Sequence, residues 1–261
     1  MALFVLAQSE ATWIDKAYLY MEQDSLEQAE LYFKQAIEAN PTSQQNFILL
    51  SNLALVQHRR GLLHKAIENY TLALYRSPLT IPILMGRAKA YLALGNDNKA
   101  YADLCNVLDK DENHIEALYY RAFIYINRHE YGAARIDYKH LLTQQPNHEN
   151  ALLGIALLDQ REGRLQTAEL QLTMLVECYP NNPAYLQARA DVLMDQQMFD
   201  LALLDLETAI SLQPIDGYLY AARAELYLRM GRCAAAKNDL DRAVALGVPR
   251  ISLVESYKQC E

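Results

Sequence analysis

Residues 117 to 138 read ALYYRAFIYINRHEYGAARIDY. Arg121 stands there inside an apolar run, and Asp137 follows it by sixteen residues. The same pair recurs as Arg87 with Asp103, Arg189 with Asp205, and Arg223 with Asp239. Each Arg sits one residue before an alanine, and each Asp three residues after another. Around both, large apolar residues recur at steps of three and four. That spacing predicts two helices joined by a turn.

The steps between successive pairs are 34 residues or twice that, and the 34-residue period organises the chain. Pro146, Pro180 and Pro214 are separated by it, and so are two columns of alanine. The first column is Ala17, Ala54, Ala88, Ala122, Ala156, Ala190 and Ala224. The second is Ala29, Ala66, Ala100, Ala134, Ala168, Ala202 and Ala236. The earliest unit ends at Pro41, and three extra residues in TSQQN precede the next. Small residues where helices cross let the backbones approach, while larger neighbours fill the remaining space. Gly61, Gly95, Gly163 and Gly231 fall at the turn within a unit, where a left-handed helix end suits glycine. Thr80, Asn182 and Asp216 are expected N-caps of the next helix, with Pro183 at a first helical position.

This pattern resembles the tetratricopeptide repeat, a pair of antiparallel helices in about 34 residues. The first unit carries it most openly, in Trp13, Ala17, Tyr20, Ala29, Phe33, Ala36 and Pro41. The resemblance implies an all-α fold, an α-solenoid in which antiparallel helix pairs form a right-handed superhelix. Seven repeats are expected at about 10–41, 47–78, 81–112, 115–146, 149–180, 183–214 and 217–248. Residues 249–261 are expected to form a capping helix, with Ile251, Val254 and Tyr257 toward the stack and Glu255, Lys258 and Glu261 toward water.

Composition limits the function. Hydrophobic residues make up 52% of the 261 and charged residues 21%, which is the balance of a folded chain. The formal net charge of −8 argues against nucleic acid and anionic membrane surfaces as partners. No apolar stretch approaches the roughly 20 residues of a membrane span, so membrane insertion is not expected. Residues 1–9 form an N-terminal extension. Val5, Leu6, Ala7 and Gln8 read either as the remnant of a secretory signal or as a first helical turn. The first reading places the protein in the periplasm or outside the cell, the second in the cytoplasm. Cys105, Cys178, Cys233 and Cys260 show no metal-ligand spacing. An antiparallel capping helix would bring Cys260 near Cys233, where a disulfide is conceivable in an exported protein.

No catalytic pattern is found: no phosphate-binding glycine loop, no nucleophile elbow and no zinc-protease helix. A non-enzymatic role without cofactor or metal is expected. The six histidines read as surface or packing residues, and Arg59-Arg60 is too short a basic run for nucleic acid. Gln57 and Asp159 occupy a slot that tyrosine holds in four other units, as local packing defects or polar groove contacts. The Arg–Asp combination reads as an ion pair between the two helices of one unit, in preference to a ligand-facing arginine row. Three units lack it and hold Lys16 with Tyr32, Leu53 with Asn69, and Ile155 with Gln171.

By analogy with the family, the second, fifth, ninth, twelfth and thirteenth positions of each first helix line a concave groove. The candidate partner-binding residues are then Ile14, Tyr18, Leu55, Met85, Lys89, Tyr119, Phe123, Ile126, Leu153 and Leu157, followed by the acidic Asp191, Asp195 and Glu225. Some family members hold acidic chaperone tails through Lys and Asn at such positions. Here Ile14 and Tyr18 stand at the fifth and ninth positions of the first unit, and Lys89 is the one cation at those two positions in any unit. The expected function is a non-catalytic scaffold binding a peptide or protein segment with apolar anchors. Self-association as a homo-oligomer is the alternative, and a small-molecule-binding protein or enzyme is a third reading.

Overall fold

The computed structural model describes residues 2–260, with side chains described from residue 12. The described residues are helical, without a strand, and fall into two units, 1–144 and 145–261. The first unit holds α1 (Ala2–Glu22), α2 (Leu26–Ala39), α3 (Asn46–Arg59), α4 (Leu63–Arg76), α5 (Ile81–Ala93), α6 (Asp97–Leu108), α7 (Ile115–Asn127) and α8 (Tyr131–Gln144). The second holds α9 (Glu149–Arg161), α10 (Leu165–Cys178), α11 (Pro183–Asp195), α12 (Phe199–Leu212), α13 (Gly217–Arg229) and α14 (Cys233–Ala245). A 3-10 turn (Arg250–Leu253) and the short α15 (Val254–Lys258) follow. α1 runs through the boundary expected at residue 9.

Within each unit every helix packs on the next, and first helices also touch, as α3 does α5, α9 does α11, and α11 does α13. All fourteen column alanines are fully buried, so the helix crossings lie where the small residues recur. Phe33, Tyr70, Leu104, Tyr138, Leu172, Leu206 and Leu240, four residues after the second column, are buried as well. One contact between repeats is especially close. A Cβ on Gly86 of α5 would stand 2.5 Å from the Tyr70 ring of α4. Tyr70 is buried, and burial pushes its hydroxyl pKa up to about 12.

The turn inside each pair has one geometry seven times over. The backbone is left-handed at Asp24, Gly61, Gly95, His129, Gly163, Gln197 and Gly231. The next residue's N–H then donates to the carbonyl five positions before it, as Leu62 does to Gln57 at 2.8 Å and Met198 to Leu193 at 2.8 Å. This closure satisfies carbonyls left open at a helix end. Glycine marks four of the seven turns; Asp24, His129 and Gln197 adopt the same conformation at some steric cost.

The N-caps differ in part from expectation. Asn182 and Asp216 accept from the N–H groups of Ala184 and Tyr218 at 3.1 and 2.9 Å. The Thr80 hydroxyl instead donates to the Ser77 carbonyl at 3.0 Å and makes no cap bond. His114 and His148, at the equivalent places, accept through Nδ1 from Ala117 and Ala151.

The cap also departs from expectation. Ile251 is 82% exposed, and Leu253 takes the buried place at 8%. The segment starts as a tight 3-10 turn, which shifts the inward face by two residues. Val254 and Tyr257 are half-buried, and the Tyr257 hydroxyl donates to Asp241 at 2.7 Å. Glu255 and Lys258 pair with one another in solvent, and Glu261 lies outside the described residues.

Candidate functional site

The four Arg–Asp combinations are two-pronged ion pairs, each joining the helices of one repeat. Arg121 donates from Nε and Nη2 to Asp137 Oδ2 and Oδ1, both at 2.7 Å. Arg87 with Asp103, Arg189 with Asp205, and Arg223 with Asp239 repeat this geometry within 2.7–2.9 Å. All four aspartates are buried, and each arginine is held above its usual range first by the aspartate hydrogen bonds. The planar guanidinium matches two carboxylate oxygens at once, which lysine cannot do.

Repeats without the pair fill the slot differently. Lys16 lies 5.4 Å from the centre of the Tyr32 ring, which stacks on Tyr20. Asn69 donates to Gln57 at 2.7 Å, and Gln57 donates to the buried Glu30 at 3.1 Å. Arg60 and Lys34 also reach Glu30, while Arg59 pairs with Asp24 at 2.8 Å. The Arg59-Arg60 run is therefore engaged within the fold. Asp159 receives a bond from Arg164 at 2.7 Å. Gln57 and Asp159 are thus joined to polar partners, neither as defects nor as groove contacts. The buried Gln171 Oε1 finds no hydrogen-bond partner among the described residues.

In the first unit the proposed inner residues do not form one open apolar strip. Leu55 and Phe123 are 40% and 44% exposed. Ile14, Tyr18, Lys89, Tyr119 and Ile126 are half-buried. Met85 is a correction: at 4% exposure it is core, because α5 is packed by helices on both sides. Tyr18 accepts a bond from Asn52 at 2.7 Å and meets Phe33 edge-on. Lys89 pairs with Glu116 at 2.5 Å. His58 is lowered by burial and by that lysine's charge.

In the second unit the inner positions line an open cavity of about 520 Å³. Gln187 and Asp191 from α11, Ala221 and Glu225 from α13, and Asp195 and Arg229 at the ends of those helices line it. Gln160 from α9 contributes, and Ser252, Leu253 and Ser256 of the cap close one wall. Arg229 lies 3.2 Å from both Asp195 and Glu225, and Gln160 donates to Asp195 at 2.8 Å. One guanidinium thus faces three carboxylates. Asp191 is raised from its ordinary 3.8 to about 6, first by burial and then by Glu225 and Asp195. A cation entering the cavity would offset that negative field. Leu153 and Leu157 lie half-buried against the α9–α11 core. Reading the sequence names Asp191, Asp195 and Glu225 but not Arg229 or the cap serines. Arg229 occupies a thirteenth position, the one signal that could have marked it.

Among the described residues no group of three or more His, Cys, Asp or Glu side chains is placed to hold a metal ion. No helix among them is long and apolar enough to cross a membrane.

Paired helices, alanine crossings and a turn that recurs seven times give this chain the fold of tetratricopeptide-repeat proteins. The family model described as Tetratricopeptide repeat matches residues 11–43. A tetratricopeptide repeat protein from Parabacteroides merdae ATCC 43184 is 29% identical, with 97% of this chain and 99% of that chain covered and a TM-score of 0.84. PilF of Pseudomonas aeruginosa is 14% identical over 82% of this chain and 95% of its own, with a TM-score of 0.64. YrrB, described as a TPR protein with an unusual peptide-binding site, is 16% identical over 74% and 99%, with a TM-score of 0.52. The last two show the fold alone. A search among curated proteins finds no match.

Proposed function

We propose that this protein is a non-catalytic scaffold for a peptide or protein segment. The repeat fold points to protein partners in general. The specific reading is that the second unit's cavity takes a Lys or Arg side chain of that segment, with apolar anchors bound along α9 at Leu153 and Leu157 of the same unit. One observation carries it: the cavity is lined at the second, fifth, ninth, twelfth and thirteenth positions of first helices, where the family's inner surface is expected. Its three carboxylates against one arginine supply the charge preference.

The test is selection of peptides from a random library on the full chain, followed by affinity measurement. The selected peptides should share a basic residue. Asp191→Asn with Glu225→Gln should weaken them by ~10-fold or more, since unpairing a desolvated charge costs about 2–5 kcal/mol. Wild-type affinity should fall below about pH 6 as Asp191 takes up its proton. Selected peptides without a basic residue, or equal affinity for the variant, would exclude this reading.

A further inference from the structure

The C-terminal cap forms one wall of the cavity and is held by a short segment. α15 is five residues long, well short of what sustains an isolated helix. Leu253 is buried, and Tyr257 and Cys260 pack beside it on the Ala236–Leu240–Ala243 core. The end of this segment meets the beginning of α14. Cys260 Sγ lies 3.6 Å from the Cys233 carbonyl oxygen, and Cys233 Sγ lies 3.8 Å from the Gln259 carbonyl oxygen. Each thiol therefore touches the other's immediate backbone. The two side chains are partly exposed, so an oxidant can reach them.

We propose that Cys233 and Cys260 form a disulfide site that staples the cap to the first turn of α14. The oxidant is a small disulfide such as oxidised glutathione. The Cys233 thiolate attacks one glutathione sulfur, and the other glutathione leaves as a thiolate. The Cys260 thiolate then attacks the Cys233 sulfur of the mixed disulfide and expels the second glutathione. Two protein thiols are oxidised and one glutathione disulfide is reduced to two thiols, which take up the two protons the cysteines lose.

The order of attack follows from the surroundings. Cys260 is held above its usual range, first by a hydrogen bond with the Cys233 side chain and then by burial. It ionises late and suits the second step, where proximity compensates for a small thiolate fraction. The bond would close a loop between positions 27 apart. It would fix Ser252, Leu253 and Ser256 as a permanent wall of the cavity. The assignment stands independently of what the cavity binds.

The full chain is equilibrated at mildly alkaline pH in glutathione buffers of increasing oxidised fraction, quenched with acid and mapped by mass spectrometry. A peptide pair linking Cys233 to Cys260, lighter by two hydrogen atoms, should accumulate first. Cys105 and Cys178 should remain free or carry single glutathiones. Amide exchange over residues 250–260 should slow by ~10-fold or more on oxidation, as local opening is suppressed, and recover on reduction. Cys105→Ser with Cys178→Ser should behave as wild type, whereas Cys260→Ser should lose both the link and the slowing. Glutathione on both Cys233 and Cys260 at equilibrium, or unchanged exchange in the linked form, would overturn the assignment. No ligand enters the experiment, so its outcome is separable from the peptide-binding test.

Discussion

Arg121 and Asp137 illustrate how one side chain can fix two helices. The carboxylate is buried, and both of its oxygens are taken by one guanidinium. Removing one partner leaves the other charge desolvated, a loss of about 3–5 kcal/mol, whereas replacing both with apolar groups is often nearly neutral. Arg121→Leu should therefore lower the urea midpoint strongly, and Arg121→Leu with Asp137→Leu should recover most of the loss. Equal losses would mean that the pair contributes only by packing. The pairing was legible because both residues keep their places in four repeats. The Glu30–Gln57–Asn69 network was not, because its members come from three helices and recur nowhere else. The burial of Met85 is hidden for a related reason: an apolar residue on a first helix fits either a core or a groove, and hydrophobicity cannot separate the two.

At the scale of the helix, pattern is a surer guide than residue type. The left-handed turn recurs at Asp24, His129 and Gln197, where the sequence carries no glycine. Helix length and the following closure impose the conformation, and glycine only eases it. The cap shows the reverse limit. Counting by threes and fours assumes an α-helix, and a 3-10 start moved Ile251 into solvent. The contact of α4 with α5 gives a sharp test. A methyl group on Gly86 would meet the Tyr70 ring at 2.5 Å, and the buried ring has little freedom to yield. Gly86→Ala should cost about 1–3 kcal/mol by overpacking. On a Tyr70→Leu background the same change should cost little, since leucine fills the corresponding place at Leu104. A double-mutant cycle by urea unfolding would expose a full cost in both backgrounds if the contact is not the cause.

For the molecule as a whole, the 34-residue period made the fold readable from end to end, since one pattern is tested seven times. The cavity in the second unit was only partly readable. Its acidic floor lies on first helices and follows the period, whereas its closing wall comes from the cap, which belongs to no repeat. That cavity weighs on global stability. Asp191 has a folded pKa of about 6 against an ordinary 3.8, so the native state holds an extra proton between those values. Stability should fall as pH rises through this window and stay reduced above it. Asp191→Asn should flatten that part of the profile and stabilise the protein at neutral pH by about 1–2 kcal/mol, after allowance for solvent screening. An unchanged profile in chemical denaturation from pH 4 to 8 would show that the carboxyl is not strained.

The socket that Gly86 offers to Tyr70 makes two apparently equivalent modules non-interchangeable. The fourth repeat carries Tyr120 at the place where the third carries Gly86. A chain rebuilt with a duplicate of the fourth repeat in third position would drive one aromatic ring into another. Shuffled or consensus versions of this array must therefore exchange such neighbours as matched couples.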